Sequence, residues 1–461
     1  AYKRLAAEKV LCLKEESPCD SRQGQKIKII ILVALYFLAV GKKVGGYDIK
    51  PSLSTDSLIE LGVSIQFEAN SSMIDEIFSD PLNTLIVFTP AIPQANSLLN
   101  YFKSNSFQVF KRSEVLGMVT KNTQCLAVAG THGKTTTTSI LAHLLYQNNK
   151  KVTAFVGGIS ENYQSNLIHR GTEISVVEAD EFDRSFLTLS PDFACITSMD
   201  ADHLDVYGSV EDLEFSFREF TKKIKSPGKL FVKKGLPFEG ITYGVNEKAD
   251  YSALNVRVLN GVYCFDIQTP SKLIKNLHFS LPGIHNISNA LVAMAMALEL
   301  GCSIVSLAKA LESYEGVQRR FTYQIKTDDF IFIDDYAHHP TEINAVHQAV
   351  REMYPSKKIA VVFQPHLFSR TRDFINEFAA SLSQFDAAFL LEIYPARELP
   401  IEGVDSEWLL GKIKSPIKKL ISKSEIVREI TDLGYPVFIT IGAGDIGVEI
   451  SQLKEKLSYA Y

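Results

Sequence analysis

The stretch Gln124–Ile140, Gln-Cys-Leu-Ala-Val-Ala-Gly-Thr-His-Gly-Lys-Thr-Thr-Thr-Thr-Ser-Ile, restricts the fold more than any other part of the chain. Cys125–Ala129 is an apolar run of strand length. It breaks at Gly130-Thr131-His132-Gly133 and resumes from Lys134 with Ile140, Leu141, Leu144 and Leu145 at helical spacing. A strand, a glycine-hinged turn and a helix start present backbone N–H groups to an anion, and the helix dipole favours its charge. Lys134 is then placed to reach the β- and γ-phosphates of a nucleotide, and the Thr135 hydroxyl, with Thr136 beside it, to hold Mg2+. The full Walker pattern puts a glycine where Val128 stands, so the match is to a shorter variant. A strand–turn–helix that happens to contain Gly-Lys-Thr is the competing reading.

A chain of 461 residues exceeds a single hydrophobic core, and about three domains is the expected division. The 48 basic and 53 acidic residues leave a net charge of −5, which argues against a nucleic-acid partner. Cysteines 12, 19, 125, 195, 264 and 302 are scattered without C-x-x-C or disulfide-like spacing, which points to a reducing, cytoplasmic setting. Ile29–Val40 is the one membrane-like run, but a bilayer span needs about twenty apolar residues. It reads instead as a buried strand running into a helix.

Around the phosphate loop, apolar runs alternate with helical patterns, which implies parallel sheets. Before it, the expected strands are Ile27–Leu32, Val44–Tyr47, Val63–Phe67, Leu85–Thr89 and Gln108–Phe110, with amphipathic helical segments at Ser57–Leu61 and Ile74–Phe78. Residues 1–25 are polar and aperiodic. After the loop, Ile174–Ala179 is a buried strand delivering Glu178, Asp180 and Glu181 to its C-terminal edge, where ligands sit in open α/β sheets. Ala194–Ser198 likewise leads into Asp200, Asp202, His203 and Asp205. Carboxylates beside a bound triphosphate suit Mg2+, a hard cation that prefers oxygen ligands. Pro282-Gly-Ile-His285-Asn286-Ile-Ser-Asn289 opens a strong helix; its amides either cap that helix or bond an adenine edge. In the last third, strands at Phe330–Asp334, Ile359–Phe363, Ala387–Leu391 and Val437–Ile441 each end in polar or glycine-rich loops, so one sheet edge is expected to face a ligand. His338 and His339 lack the cysteines or H-x-x-x-H spacing that a zinc site would need.

Taken together, Gly130-Thr-His-Gly-Lys-Thr-Thr-Thr137, Glu178-Ala-Asp-Glu181, Asp202-His203-Leu-Asp205, His285-Asn286 with Asn289, Arg319-Arg320-Phe321, Asp334-Asp335-Tyr-Ala-His-His-Pro-Thr-Glu342 and Ser369-Arg-Thr-Arg372 resemble the Mur ligase family over roughly residues 34–461. The resemblance implies an α/β fold of three domains. A Rossmann-like UDP-sugar-binding domain (34–119) follows an atypical start (1–33). A central P-loop ATPase domain (120–320) and a C-terminal Rossmann-like, amino-acid-binding domain (321–461) complete it. It also implies ATP- and Mg2+-dependent ligation of L-alanine to the lactyl carboxylate of UDP-N-acetylmuramic acid through an acyl phosphate. Lys134 would stabilise the transferring phosphate, within a nucleotide site of Gly130, Thr131, His132, Gly133, Lys134, Thr135 and Thr136. Thr135, Glu178 and His203 would hold Mg2+. His285, Asn286 and Asn289 would surround adenine, with Arg320 and Asp335 reaching the nucleotide from across a domain interface. Tyr336, His338 and His366 would form the amino-acid pocket, and Arg370 would meet the muramoyl carboxylate or departing phosphate.

Two departures stand out. Leu367 occupies a position where many relatives carry arginine. Relatives also place a Gly-x-Gly-Gly-x-Gly turn after their first strand to cradle the UDP pyrophosphate, and no glycine occurs here between Gly24 and Gly41. Two other readings compete: the family's ligase that recycles cell-wall tripeptide, and a non-catalytic nucleotide-binding remnant.

Overall fold

The computed structural model describes residues 7–14, 31–89, 92–181, 184–200, 207, 209–259, 261–396 and 398–460, together with the backbone of 23–30. Three sheets follow one another along the chain.

The first contains β1 (Lys9–Leu13), β2 (Lys43–Tyr47), β3 (Ser64–Gln66), β4 (Thr84–Phe88) and β5 (Gln108–Lys111) in the order β3-β2-β1-β4-β5. Every pairing is parallel, so it is a doubly wound sheet with β1 at its centre. This corrects the expected strand at Ile27–Leu32. The strand is Lys9–Leu13, inside the segment read as aperiodic, and Ile27–Leu32 belongs to the helix Gln23–Ala39. The cause is double burial. Leu32, Val33, Ala34 and Phe37 pack among Val10, Val44 and Val87 of the first sheet and also among Phe155, Val177 and Ala179 of the second. Tyr36 adds a ring contact to Phe155 at 5.6 Å. A helix covered on both sides is apolar all round and loses the periodicity that would mark it. The amphipathic segment Ile74–Phe78 is likewise not one helix. Two single 3₁₀ turns, Ser71–Met73 and Glu76–Phe78, stand there, opened by Asn70 and Asp75 side chains that accept the N–H groups of Ser72 and Ile77.

The second sheet carries β6 (Gln124–Ala129), β7 (Val152–Ser160), β8 (Ser165–His169), β9 (Ile174–Ala179), β10 (Phe193–Ile196), β11 (Lys229–Lys233), β12 (Ile241–Val245), β13 (Tyr251–Leu259), β14 (Val262–Gln268) and β15 (Leu273–Phe279). Its order is β15-β14-β13-β12-β11-β10-β6-β9-β7-β8, parallel from β7 to β13 and antiparallel at both margins. Helices Lys134–Gln147 and Ile284–Glu299 share one fully buried apolar core on this sheet. The third sheet, β16 (Thr322–Lys326), β17 (Ile331–Asp335), β18 (Ile359–Phe363), β19 (Ala387–Leu390), β20 (Ile417–Leu420) and β21 (Val437–Ile441), runs β16-β17-β21-β18-β19-β20 and is parallel except for β16. Residues 316–320 strap the second sheet to the third. Glu161 N donates to Gly316 O and Gln318 N to Ile159 O, while Tyr336 N donates to Arg319 O beyond β17. Among the described residues no helix is long and apolar enough to cross a membrane, and Cys12, Cys125, Cys195, Cys264 and Cys302 are buried free thiols.

Candidate active site between the second and third sheets

The strand β6 enters the phosphate loop with φ 136° at Gly130 and 82° at Gly133, conformations that strain any residue with a side chain. Space is closed as well. A Cβ on Gly130 would stand 2.1 Å from the Thr197 hydroxyl, and one on Gly133 2.7 Å from Asn289 Oδ1. The loop is therefore pressed between the end of β10 and the helix that begins at Ile284. Ser198 and Thr197 hold it: His132 N donates to Ser198 Oγ at 2.7 Å, and Ser198 Oγ lies 3.0 Å from Thr131 Oγ1.

Lys134 lies inside this loop. Its Nζ donates to Gly130 O at 2.6 Å and lies 2.9 Å from both carboxylate oxygens of the fully buried Glu181. Burial alone would lower its pKa, but Glu181, Asp180 and Glu178 together outweigh that and raise it, so Lys134 keeps its charge. Burial pushes Glu181 up to about 7 against the pull of Lys134. At the end of β9, Glu178 accepts the Thr135 hydroxyl at 3.1 Å and the Gly157 N–H. A Cβ on Gly157 would sit 2.6 Å from that carboxylate. Burial raises the Glu178 pKa, and a cation bound beside it would draw it back down. A hydroxyl and a carboxylate at the mouth of a glycine-walled phosphate loop are donors of the type Mg2+ takes alongside phosphate oxygens. His203, the third expected ligand, lies outside the described residues.

The cleft, about 360 Å³, is lined by residues from both sheets. Thr131, His132, Gly133, Lys134, Thr135, Thr136 and Glu178 come from one side, with His285, Asn286 and Asn289 beside them; Arg320, Asp335, Tyr336, His338, His366 and Arg370 face them. Gly130 is the one described member of the expected set absent from this lining, and it meets Lys134 through its carbonyl. Asn286 Nδ2 donates to Pro282 O at 2.6 Å and Asn289 Nδ2 to Asn286 Oδ1 at 3.3 Å, so the two amides are prearranged rather than exposed caps. Asp335 is raised to about 6 by burial. Its oxygens accept Phe321 N and Ala337 N, each at 2.7 Å, and so fix the strap and the loop after β17. Tyr336 lies under the guanidinium groups of Arg319 and Arg320 at 5.2 and 5.4 Å. His366 is 4 % exposed, stacks on Tyr394 and lies 6.1 Å from the His338 ring; burial holds its imidazole well below the usual range, hence neutral. Leu367 lines the cleft with φ 74°.

Sequence reasoning passed over several lining residues. Ser198 and Lys233 have no motif of their own, and Glu342 enters the sequence reading only as the last residue of the motif Asp334–Glu342, with no role assigned. Its carboxylate in fact meets His132, His338 and Arg320.

Fold and site together define a nucleotide-binding α/β protein in which a phosphate loop on one sheet faces a histidine- and arginine-bearing edge of another. The chain belongs to the Mur ligase family. Family models described as "Mur ligase family, catalytic domain", "Mur ligase middle domain" and "Mur ligase, glutamate ligase domain" match residues 30–124, 128–297 and 319–441. The UDP-N-acetylmuramate–L-alanine ligase of Flavobacterium johnsoniae is 56% identical over 426 residues, 92% of this chain and 95% of that protein. The protein of that name from Parabacteroides distasonis is 46% identical over 431 residues, 92% and 93% of the two chains. Among solved structures, UDP-N-acetylmuramate-alanine ligase from Thermotoga maritima superposes with a TM-score of 0.80 at 26% identity, covering 98% of this chain and 100% of that one. A murein peptide ligase from Psychrobacter arcticus shares the fold, with a TM-score of 0.66 at 21% identity over 98% of both chains.

Proposed function

We propose that this chain is an ATP-dependent ligase that joins L-alanine to UDP-N-acetylmuramic acid in peptidoglycan precursor synthesis, working in the cytoplasm. The observation that carries the reading is the single cleft in which Lys134, Thr135 and Glu178 face His338, His366 and Arg370. The muramoyl carboxylate attacks the γ-phosphorus, ADP leaves, and an acyl phosphate forms. The alanine amine then attacks the acyl carbon, and phosphate departs with the former carboxylate oxygen. Both steps gather negative charge, so positioning and fixed cations do most of the work.

The phosphate-loop N–H groups and Lys134 receive the triphosphate. Thr135 and Glu178 would hold Mg2+, with His203 as the third ligand that the family resemblance implies, and the ion would neutralise phosphate charge when bound. Asn286, Asn289 and His285 frame the base, and Arg320 reaches the nucleotide from the strap. Tyr336, His338 and neutral His366 accept the amino acid, leaving Arg370 for the carboxylate or leaving phosphate. The murein peptide ligase reading is weaker, because the 56% relatives bear the alanine name whereas that neighbour shares only the fold. The three domains we assign are those expected from the sequence, with β1 joined to the first. The test is phosphate release from ATP and Mg2+ with UDP-N-acetylmuramic acid, with and without L-alanine. Release should require all components, and release indifferent to L-alanine would overturn the reading.

A further inference from the structure

Glu342 sits in the first turn of the helix Pro340–Met353, on the third sheet's side of the cleft. Its carboxylate reaches across to the phosphate loop: Oε1 is 3.4 Å from His132 Nδ1. It also lies 3.9 Å from the Arg320 guanidinium on the strap and 3.4 Å from His338 Nδ1. Its backbone partners are His338 N at 2.9 Å and His339 N at 3.3 Å. His132 carries a second acid, Asp200, at 3.5 Å on its other ring nitrogen. One carboxylate therefore joins the nucleotide side, the strap and the acceptor loop.

A helix cap is the modest explanation, and the two N–H contacts are of that kind. Capping does not explain three cationic or protonatable partners from three separate segments. Burial alone would raise the Glu342 pKa, but His338, His132 and Arg320 outweigh that and keep the carboxyl well below its usual range, so it is ionised. We propose that Glu342 is a positioning residue: it ties the phosphate loop to the acceptor loop through His132, Arg320 and His338, so that both ligand surfaces are held in one assembled cleft. The inference rests on the ligase reading for its kinetic consequence but not for its structural one.

Glu342→Gln separates the two roles, because an amide oxygen still accepts the His338 and His339 N–H groups while the charge is gone. If the assembled cleft falls to a tenth of the population, both ligands bind about tenfold more weakly. KM for ATP and KM for L-alanine should then rise together by about tenfold, with kcat much less affected and the melting temperature unchanged. Small-angle scattering of the protein without added ligands should show a larger radius of gyration for Glu342→Gln. Added salt should expand the wild type and leave the variant unmoved. Unchanged KM values with a lowered melting temperature would reduce Glu342 to a cap and overturn the proposal, as would identical scattering of the two proteins. The scattering decides the tie even if the wild type shows no alanine-dependent turnover, an outcome that would overturn only the ligase reading.

Discussion

Lys134 is the residue we assign to the transferring phosphate, and its surroundings say how its loss should read. Removing one partner of a buried ion pair usually costs about 3–5 kcal/mol. Here Glu181, already raised to about 7, takes up a proton and softens that loss. Lys134→Ala should therefore stay folded by circular dichroism while phosphate release falls at least about a hundredfold; near-normal release would remove Lys134 from the transition state. His338 makes a different prediction. Its ring lies between the Tyr336 carbonyl, at 3.0 Å, and the buried His366. His338→Ala should raise the KM for L-alanine by at least about tenfold, the value of one hydrogen bond to a charged group, and that for ATP by less, because it removes one leg of the Glu342 tie as well as the acceptor contact. A larger shift for ATP than for L-alanine would move His338 to the nucleotide side.

At the scale of elements, we predict that UDP-sugar affinity depends on the first strand–helix connection. Between the end of β1 and the helix that starts at Gln23 the sequence offers no glycine, the residue type that takes positive φ at no steric cost and lets a pyrophosphate approach the backbone closely. UDP-N-acetylmuramic acid should bind ~3 kcal/mol more weakly than to a variant given a glycine turn there, about two charge-assisted hydrogen bonds. Titration calorimetry of both proteins checks this, and equal affinities would show that the sugar nucleotide is held by other groups. The same region shows where sequence reasoning stops. β18 and β21 were legible to the residue because a parallel core strand is a short apolar run closed by a polar loop. The helix Gln23–Ala39 was not, because burial on two sides erases its period, and β1 was hidden in Lys9–Leu13, five residues amid charged neighbours. The phosphate loop announced itself because its glycines, lysine and hydroxyls are contiguous. Glu342 could not, because its three partners come from separate segments that only the fold brings together.

For the whole molecule, the second sheet is the body on which both neighbours rest, and its stability depends on buried histidine. His143, on the phosphate-loop helix, donates Nε2–H to Ala310 O at 2.9 Å and accepts the Tyr163 hydroxyl at Nδ1. Burial lowers its pKa to about 4. The unfolded chain protonates near pH 6.5 while the folded one resists. The stabilisation is thus present above that pH and is lost as pH falls toward about 4. Between about pH 7 and pH 5 it amounts to about 2 kcal/mol. Chemical denaturation should show His143→Gln less stable near neutrality but flatter across that window; an unchanged slope would assign the pH dependence elsewhere. The central claim, that one cleft both activates a carboxylate and couples it to an amine, is tested most directly by labelling the lactyl carboxylate of UDP-N-acetylmuramic acid with heavy oxygen. With ATP, Mg2+ and L-alanine present, every phosphate released should carry one labelled oxygen from that carboxylate. Phosphate without the label would mean that ATP is hydrolysed by water in this cleft, and the account would be wrong.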